Sequence, residues 1–342
     1  TLDRGLRLLG EETDRLGEGQ ALPGAVAFRL YDTFGFPLDL TADILRGQGR
    51  SVDQAGYDEA LEAQRAAARA SWKGSGEAAT DTLWFEIREQ VEASEFLGYS
   101  TLHAEGAVLA LTKDAGQTQQ LKAGDSGFLI ANQTPFYAES GGQKGDRGEI
   151  TTEAGARLRV LDTQKQLGDV WVHEVEVVEG EVSVGDAVAF SVDTDHRAAL
   201  AGHHSATHLL HEALRQRLGA HVAQKGSLVA ADRLRFDFSH TAQVSEEELT
   251  DIEIAVNEEI LANTAVETRI MSPDEAIEAG ATALFGEKYG DEVRVVTMGT
   301  TDPASNQIYS MELCGGTHVR QTGDIGLLRI VREEGPASGV RG

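Results

Sequence analysis

His204-Ser205-Ala206-Thr207-His208 and Cys314-Gly315-Gly316-Thr317-His318 stand far apart in the chain but share one spacing: a side chain able to bind a metal, three residues, then a histidine. The first lies in a run, Ser205 to Leu218, whose apolar residues Leu209, Leu210, Ala213, Leu214 and Leu218 recur at helical spacing. Its two imidazoles therefore project from one helix face. In the second, Gly315 and Gly316 argue against a helix and for a tight turn, which swings Cys314 and His318 towards a common point. A thiolate with imidazoles is a preferred ligand set for zinc. Read together, the two segments predict that distant parts of the chain close on one ion, and this fixes what the fold between them has to achieve.

Taken singly, two histidines four apart are more often a solvated helix face, and a single cysteine is more often a small buried apolar residue. The coincidence of both pairs in one chain outweighs either alone. His203 and His211 lie close by, and His204 is preferred to His203 because it shares a face with His208. Cys314 is the only cysteine, so no internal disulfide forms, which fits a reducing compartment. Ser205 stands where a metalloprotease HExxH motif carries its general-base glutamate, which excludes that chemistry.

At 342 residues, with 41% hydrophobic content, the chain is of globular composition and too long for one ordinary core. No run approaches a membrane-spanning length, and no signal segment opens it. A formal charge of −26, from 56 acidic against 30 basic residues, ordinarily argues against a nucleic-acid partner. The charge is uneven, however. Arg197, Arg215, Arg217, Lys225, Arg233 and Arg235 outnumber Glu212, Asp232 and Asp237 around the proposed metal, whereas the acidic run from Glu246 to Glu259 reads as a solvated helix face. Thr1 falls inside an apparent helix and Val340-Arg341-Gly342 ends without a terminating pattern, so an internal piece of a larger protein is expected.

Residues 1–72 read as helical. Leucines at 2, 6, 9 and 16 mark an amphipathic helix, Ala25 to Asp32 is a helix or a strand, Pro37 interrupts, a helix starts near Asp39 or Thr41, and Asp53 caps another that runs to Arg69. Residues 73–95 are expected as a linker, on the glycine and serine content of Ser71 to Thr80. From 96 to 195, short β-branched runs (107–111, 126–130, 148–152, 158–161, 170–178 and 187–192) punctuated by glycine indicate a small barrel or sandwich. Within it, Ser140-Gly141-Gly142-Gln143 is either a loop that approaches a ligand closely or a hairpin turn with a bulge, and spacing decides neither. Residues 196–342 alternate helix and strand: strands at 224–229, 234–238, 266–270, 293–298 and 325–331, a helix from Ser245 to Asn263 with a Ser245/Glu248 capping box, and a short helix at 273–279. The fold class is thus α+β multidomain: a helical segment, a small β-barrel and an α+β two-layer domain.

Seven segments, in order, carry a resemblance to a family: Phe28 to Thr41, Ala138 to Asp146, His204 to Leu210, Gln224 to Val229, Leu234 to His240, Ala283 to Asp291 and Leu313 to Val319. They resemble the middle and editing regions of the alanyl-tRNA synthetases, and the resemblance extends over essentially the whole chain. It implies that the helical part ends a tRNA-recognition domain and that the remainder is an editing domain, which hydrolyses tRNA(Ala) mischarged with serine or glycine. It places one zinc ion on His204, His208, Cys314 and His318, the editing-site glutamine on Gln224, and the pocket loop on Ser140, Gly141, Gly142 and Gln143. His204, His208, Cys314 and Gln224 are the residues it implies for catalysis.

The implied partners are tRNA(Ala) and its Ser-tRNA(Ala) and Gly-tRNA(Ala) forms, with a cytoplasmic location and no membrane. An aminoacylation core using ATP and magnesium is expected before residue 1, and a dimerisation domain after residue 342, so the chain itself should not activate alanine. His203 stands where the family often has asparagine, and Gly342 where a second arginine is common. Catalysis by a water on the ion needs one position free, and His318 is the ligand expected to yield it. Two other readings stand beside this one. The first is a non-catalytic, zinc-stabilised tRNA-binding module. The second is a free-standing editing protein, or the related editing domain of threonyl-tRNA synthetase, which shares both pairs but has no need of residues 1–70.

Overall fold

The structure is a computed structural model that describes residues 9–10, 12–13, 16, 20–34, 38–47, 50–57, 77–282, 290–302, 307–335 and 339–342. The chain divides into two compact units, residues 1–82 and 83–342.

In the first unit, α1 (Gly24–Phe34) and α2 (Leu38–Gly47) surround a small core of Leu9, Leu22, Ala27, Leu30, Leu45 and Tyr57. The segment left open between helix and strand is helical, because Ala27 and Leu30, three apart, both face this core. Asp53 caps as expected, accepting from the Gly56 amide at 3.0 Å. The expected helices at 2–16 and 53–69 lie mostly outside the described residues, as do residues 71–76 of the expected linker.

Helix α3 (Glu77–Gln90) occupies most of the stretch expected as linker. Glycine and serine end before it, and Leu83, Trp84, Ile87 and Val91 then recur at helical spacing and bury against Ala110, Ile130, Val170 and Val172. Arg88 fixes the end of the helix through an ion pair with Asp169 at 2.7 Å.

The barrel is a closed antiparallel sheet of six strands: β1 (His103–Lys113), β2 (Ser126–Ala131), β3 (Gly148–Thr152), β4 (Arg157–Gln166), β5 (Val170–Glu179) and β6 (Ala187–Val192). Around its circumference the order is β6, β3, β4, β5, β2, β1, and β1 pairs back to β6 through Ala107 opposite Ala187, so no edge is left open. Alternate residues point inward: Leu158 and Val160 of β4, Val175 and Val177 of β5, and Val188 and Phe190 of β6 meet Leu111, Leu129, Phe136 and Ile150 in one core. Each such side chain contributes roughly 1.5–3 kcal/mol when fully buried.

Helix α4 (Thr194–Leu218) leaves the barrel directly, capped by the Asp193 carboxylate on the amides of Asp195 and His196. Its first turn is anchored by a buried Arg197–Asp146 ion pair, in which Arg197 also donates to the carbonyls of Gly98 and Pro135. Beyond it come a sheet of β7 (Gln224–Val229), β8 (Leu234–Ser239) and β12 (Val340–Arg341), and a second of β9 (Glu267–Met271), β10 (Val293–Asp302) and β11 (Gln307–Leu313). Helix α5 (Glu246–Ala262), with the expected Ser245/Glu248 capping box, and the short α6 (Pro273–Glu278) complete the layer. Leu209, Leu210, Ala213 and Leu214 of α4 pack with Ile252, Val256 and Ile260 of α5 and with Phe236, Phe238, Val296 and Met298 of the strands.

The strand expected at 325–331 is absent. A single 3-10 turn, Thr322–Ile325, precedes an irregular segment whose backbone groups bond to side chains of α5. The Leu328 amide donates to Asn257 Oδ1 at 3.0 Å, the Ile330 amide to Glu253 Oε2 at 2.7 Å, and Asn257 Nδ2 to the Leu328 carbonyl at 2.9 Å. These bonds satisfy the polar backbone that a sheet ladder would otherwise serve. Among the described residues no helix is long and apolar enough to cross a membrane.

Candidate metal centre

The second half of α4 presents His204 and His208 side by side, with ring centroids 5.3 Å apart and planes within 11°. At the end of β11 the chain is held by the Cys314 amide donating to the Arg294 carbonyl at 2.9 Å. It then turns back so that the His318 ring lies 4.6 Å from that of His204 and 5.1 Å from that of His208. Cys314 Sγ is 3.4 Å from His204 Nε2 and 3.3 Å from His318 Nε2. One ligand atom from each of the four residues lies within 4.8 Å of every other. The turn needs glycine at 316, since a Cβ there would stand 2.0 Å from His204 Cε1.

The chemistry of the far ring nitrogens tests whether a metal fits. His204 Nδ1 donates to Gln143 Oε1 at 2.7 Å and His208 Nδ1 to Glu312 Oε2 at 2.7 Å, and His318 Nδ1 is hydrogen-bonded with the Ser205 hydroxyl at 3.2 Å. With Nδ1 the donor on His204 and His208, their Nε2 atoms face inward, and a metal would displace the proton that Glu312 and Cys314 otherwise keep on His208. His208 Nε2 is buried with no hydrogen-bond partner, an orphan that a cation satisfies. The residues fit a zinc ion.

The supporting shell is itself held. Gln143, fully buried, donates from Nε2 to Thr317 Oγ1 at 2.8 Å and accepts the Thr317 amide on Oε1 at 3.0 Å, while Ser205 Oγ accepts the Val319 amide at 3.2 Å. Glu312 bridges two imidazoles, taking His211 Nδ1 on its other oxygen at 2.7 Å. Burial pushes the Glu312 carboxyl up, but His208 and His211 overcome this and bring it down to about 2. Burial lowers His208, yet Glu312 and Cys314 carry it up to about 10. Burial likewise raises the Cys314 thiol, and the three surrounding imidazoles hold it well below its ordinary value. Burial brings His318 down to about 4, leaving it neutral. A thiolate, a carboxylate and a neutral imidazole suit a divalent cation.

Gly141 (φ 59°) and Gly142 (φ 87°) form a tight turn closed by the Ser140 and Gln143 backbones at 3.1 and 3.0 Å. The loop is a turn, and it brings Gln143 beneath His204. It is tied to β7 by the Val229 amide donating to the Gly142 carbonyl at 2.7 Å. Gln224 opens the same strand opposite Phe238, and the hydrogen bonds around the four converging residues do not reach it. The arginines that make the neighbourhood basic in sequence are largely neutralised: Arg197 pairs with Asp146, Arg215 with Glu212, Arg217 with Asp251, Arg233 with Asp232 and Arg235 with Asp237. Sequence reasoning passed over Glu312, Thr317 and the role of Ser205. Glu312 stands two residues before Cys314, close enough in sequence to have been noticed.

A family model described as tRNA synthetases class II (A) matches residues 1–196, and one described as Threonyl and Alanyl tRNA synthetase second additional domain matches residues 293–341. The alanine–tRNA ligase of Bradyrhizobium diazoefficiens is 56% identical over 344 aligned positions, which cover 100% of this chain and 39% of that protein. That of Nitrobacter winogradskyi is 57% identical over 345, again covering 100% and 39%. The chain thus spans about two fifths of the length of the curated relatives it matches. With a match over more than half its residues, the chain belongs to the class II (A) tRNA synthetases, and along its whole length it is similar to the alanine–tRNA ligases, as its motifs led us to expect.

Proposed function

We propose that the chain hydrolyses the aminoacyl ester of tRNA(Ala) mischarged with serine or glycine, in a site built around one zinc ion on His204, His208, Cys314 and His318. The observation that carries this reading is the convergence of three inward-facing Nε2 atoms and one thiolate at the end of a buried, hydrogen-bonded shell. In the reaction water adds to the ester carbonyl, the bond to the terminal ribose oxygen breaks, and one proton of the water ends on that oxygen.

A zinc ion, when bound, supplies positive charge that stabilises developing oxyanions or anchors a substrate amine or hydroxyl. The amides of Gly141 and Gly142, which the turn leaves without backbone partners, donate to the seryl group and the attacking water. Gln224 is assigned to the substrate on the resemblance, from the start of the strand whose Val229 end is tied to this loop. Gln143 is engaged at both ends of its amide and acts only through His204. Glycine is required at 142 by the closeness of β7, since the Ser227 carbonyl oxygen would lie 2.5 Å from a Cβ there, and this close packing holds the loop in place.

The test is turnover of Ser-tRNA(Ala) by the purified chain with its metal content measured on the same sample. Cys314→Ala should abolish most deacylation, and unchanged rates with full zinc would overturn the assignment. One observation favours a second reading, a structural zinc in a tRNA-binding module: four protein ligands make a closed set. Binding of tRNA without any turnover would decide for it. An exchangeable His318 reconciles the closed set with catalysis, and His318→Ala would then keep zinc while changing the rate.

A further inference from the structure

Beside the metal turn runs a line of rings and cations that the proposed chemistry does not use. Lys165 Nζ lies 4.1 Å above the Trp171 ring, and Trp171 stacks on Phe96 with centroids 5.9 Å apart and planes within 15°. Phe96 meets the Tyr99 ring edge to face at 4.8 Å, and the Arg294 guanidinium lies 3.4 Å from the Tyr99 centroid. The line ends at the metal centre itself. Tyr99 Oη donates to the Gly315 carbonyl at 2.5 Å, and the residue that follows Arg294 in its own strand, Val295, is paired with Leu313.

Two features of this line lack a structural explanation. Tyr99 is 46% exposed, although it is large and has buried neighbours on one side. Arg294 Nε is buried without a hydrogen-bond partner, and among the described residues no carboxylate pairs with Arg294, in a chain of 56 acidic residues that ion-pairs most of the arginines nearby. The Tyr99 face stabilises the guanidinium, but the buried Nε–H is a donor left unmet, and an acceptor such as a phosphate oxygen on this side would offset that cost.

Resting on the reading above, we infer that Lys165, Trp171, Phe96, Tyr99 and Arg294 form the track for the single-stranded 3′ end of the RNA. In this arrangement a terminal base stacks on the exposed Tyr99 ring, the half-buried Phe96 and Trp171 support it from behind, and the adjoining phosphates meet Arg294 and Lys165. Rings flanked by cations suit an unpaired strand, because every base has a face to stack and every linkage has a charge. The Tyr99 hydroxyl joins this platform to the turn that carries Cys314, so a strand seated on the rings brings its terminal ester to the metal centre.

The experiment measures binding of a single-stranded RNA ending in CCA to the full chain, together with KM and kcat for Ser-tRNA(Ala) deacylation. Tyr99→Ala and Arg294→Ala should each weaken RNA binding about tenfold or more and raise KM more than they lower kcat, with zinc content unchanged. Tyr99→Phe keeps the ring and should retain most of the affinity. Arg294→Lys and Lys165→Ala should show intermediate losses, with the salt dependence unchanged in Arg294→Lys, which keeps the charge, and shallower in Lys165→Ala, which loses one. These milder variants keep the inference falsifiable if an alanine variant fails to fold. Equal binding by the unmodified chain and the Tyr99→Ala/Arg294→Ala pair, with deacylation intact, would overturn the track and leave the editing reading standing. Loss of affinity in Tyr99→Phe equal to that in Tyr99→Ala would overturn it too, since the hydroxyl and not the ring would then be the contact. An unmodified chain that neither binds RNA nor deacylates would sink both readings.

Discussion

Two buried histidines separate the barrel from the layer beyond it. His173 in β5 is fully buried and satisfied by the protein alone: Nδ1 donates to the Leu129 carbonyl at 2.9 Å, and Nε2 accepts the Thr134 hydroxyl at 2.8 Å. Burial holds its pKa down to about 4, so it stays neutral. His208 in α4 is nearly as buried, yet its Nε2 has no protein partner and its surroundings raise its pKa to about 10. The barrel histidine is satisfied by the polypeptide, whereas the inward nitrogen of the layer's histidine is left without a protein partner, beside three further groups able to bind a metal.

The largest expected effect follows directly. Cys314→Ala should weaken zinc binding by on the order of a thousandfold or more, since it removes the anionic ligand. Hydrogen exchange should then speed up for the amides of α4 and β11 and stay unchanged for those of Val172 to Val177. Equal loosening of both regions would break the comparison.

His173 supplies the complementary test. Its pKa falls from 6.5 to about 4 on folding, so at low pH the unfolded chain binds a proton that the folded barrel refuses. Its contribution is fully present above pH 6.5 and is lost as pH falls towards 4, a loss of about 3 kcal/mol. Urea melts followed by barrel tryptophan fluorescence between pH 7 and 4 measure it, and a flat profile would contradict the assignment.

Glu312→Gln should lower zinc affinity by about 10- to 100-fold, because the carboxylate fixes the His208 ring and its tautomer from outside the ligand set. Competition with a chromogenic chelator reads this, and wild-type affinity would mean that the shell is not needed. The smallest effect calibrates the others. Ser245→Ala removes the α5 cap and should destabilise the layer by about 1 kcal/mol in denaturant melts while leaving zinc affinity alone.

The comparison also explains what could be read in advance. The barrel was legible because alternation is local: each strand states its own inward face, as in Leu158, Val160 and Val175, Val177. The converging quartet was legible for a different reason, since two pairs of ligand-type residues with one spacing coincide in the chain and the family resemblance places a zinc ion on the same four. The shell around it was not. Gln143, Glu312, Thr317 and Ser205 are ordinary polar residues whose meaning comes only from the partners that tertiary structure brings to them. Gln143 was assigned to the substrate through its loop, yet the fold turns it onto His204. The segment after Ile325 looked like a strand because it is apolar and β-branched, but α5 side chains satisfy its backbone where a neighbouring strand was assumed. Residues 77–90 looked like linker because glycine and serine just before them masked the periodicity of Leu83, Trp84 and Ile87.

X-ray absorption at the zinc edge of the purified, metal-loaded chain tests most directly whether the two distant segments share one ion. The expected spectrum fits one sulfur at about 2.3 Å and three imidazole nitrogens at about 2.0–2.1 Å. A first shell without sulfur, or one of six oxygen and nitrogen atoms, would show that Cys314 and the α4 histidines do not meet on the metal.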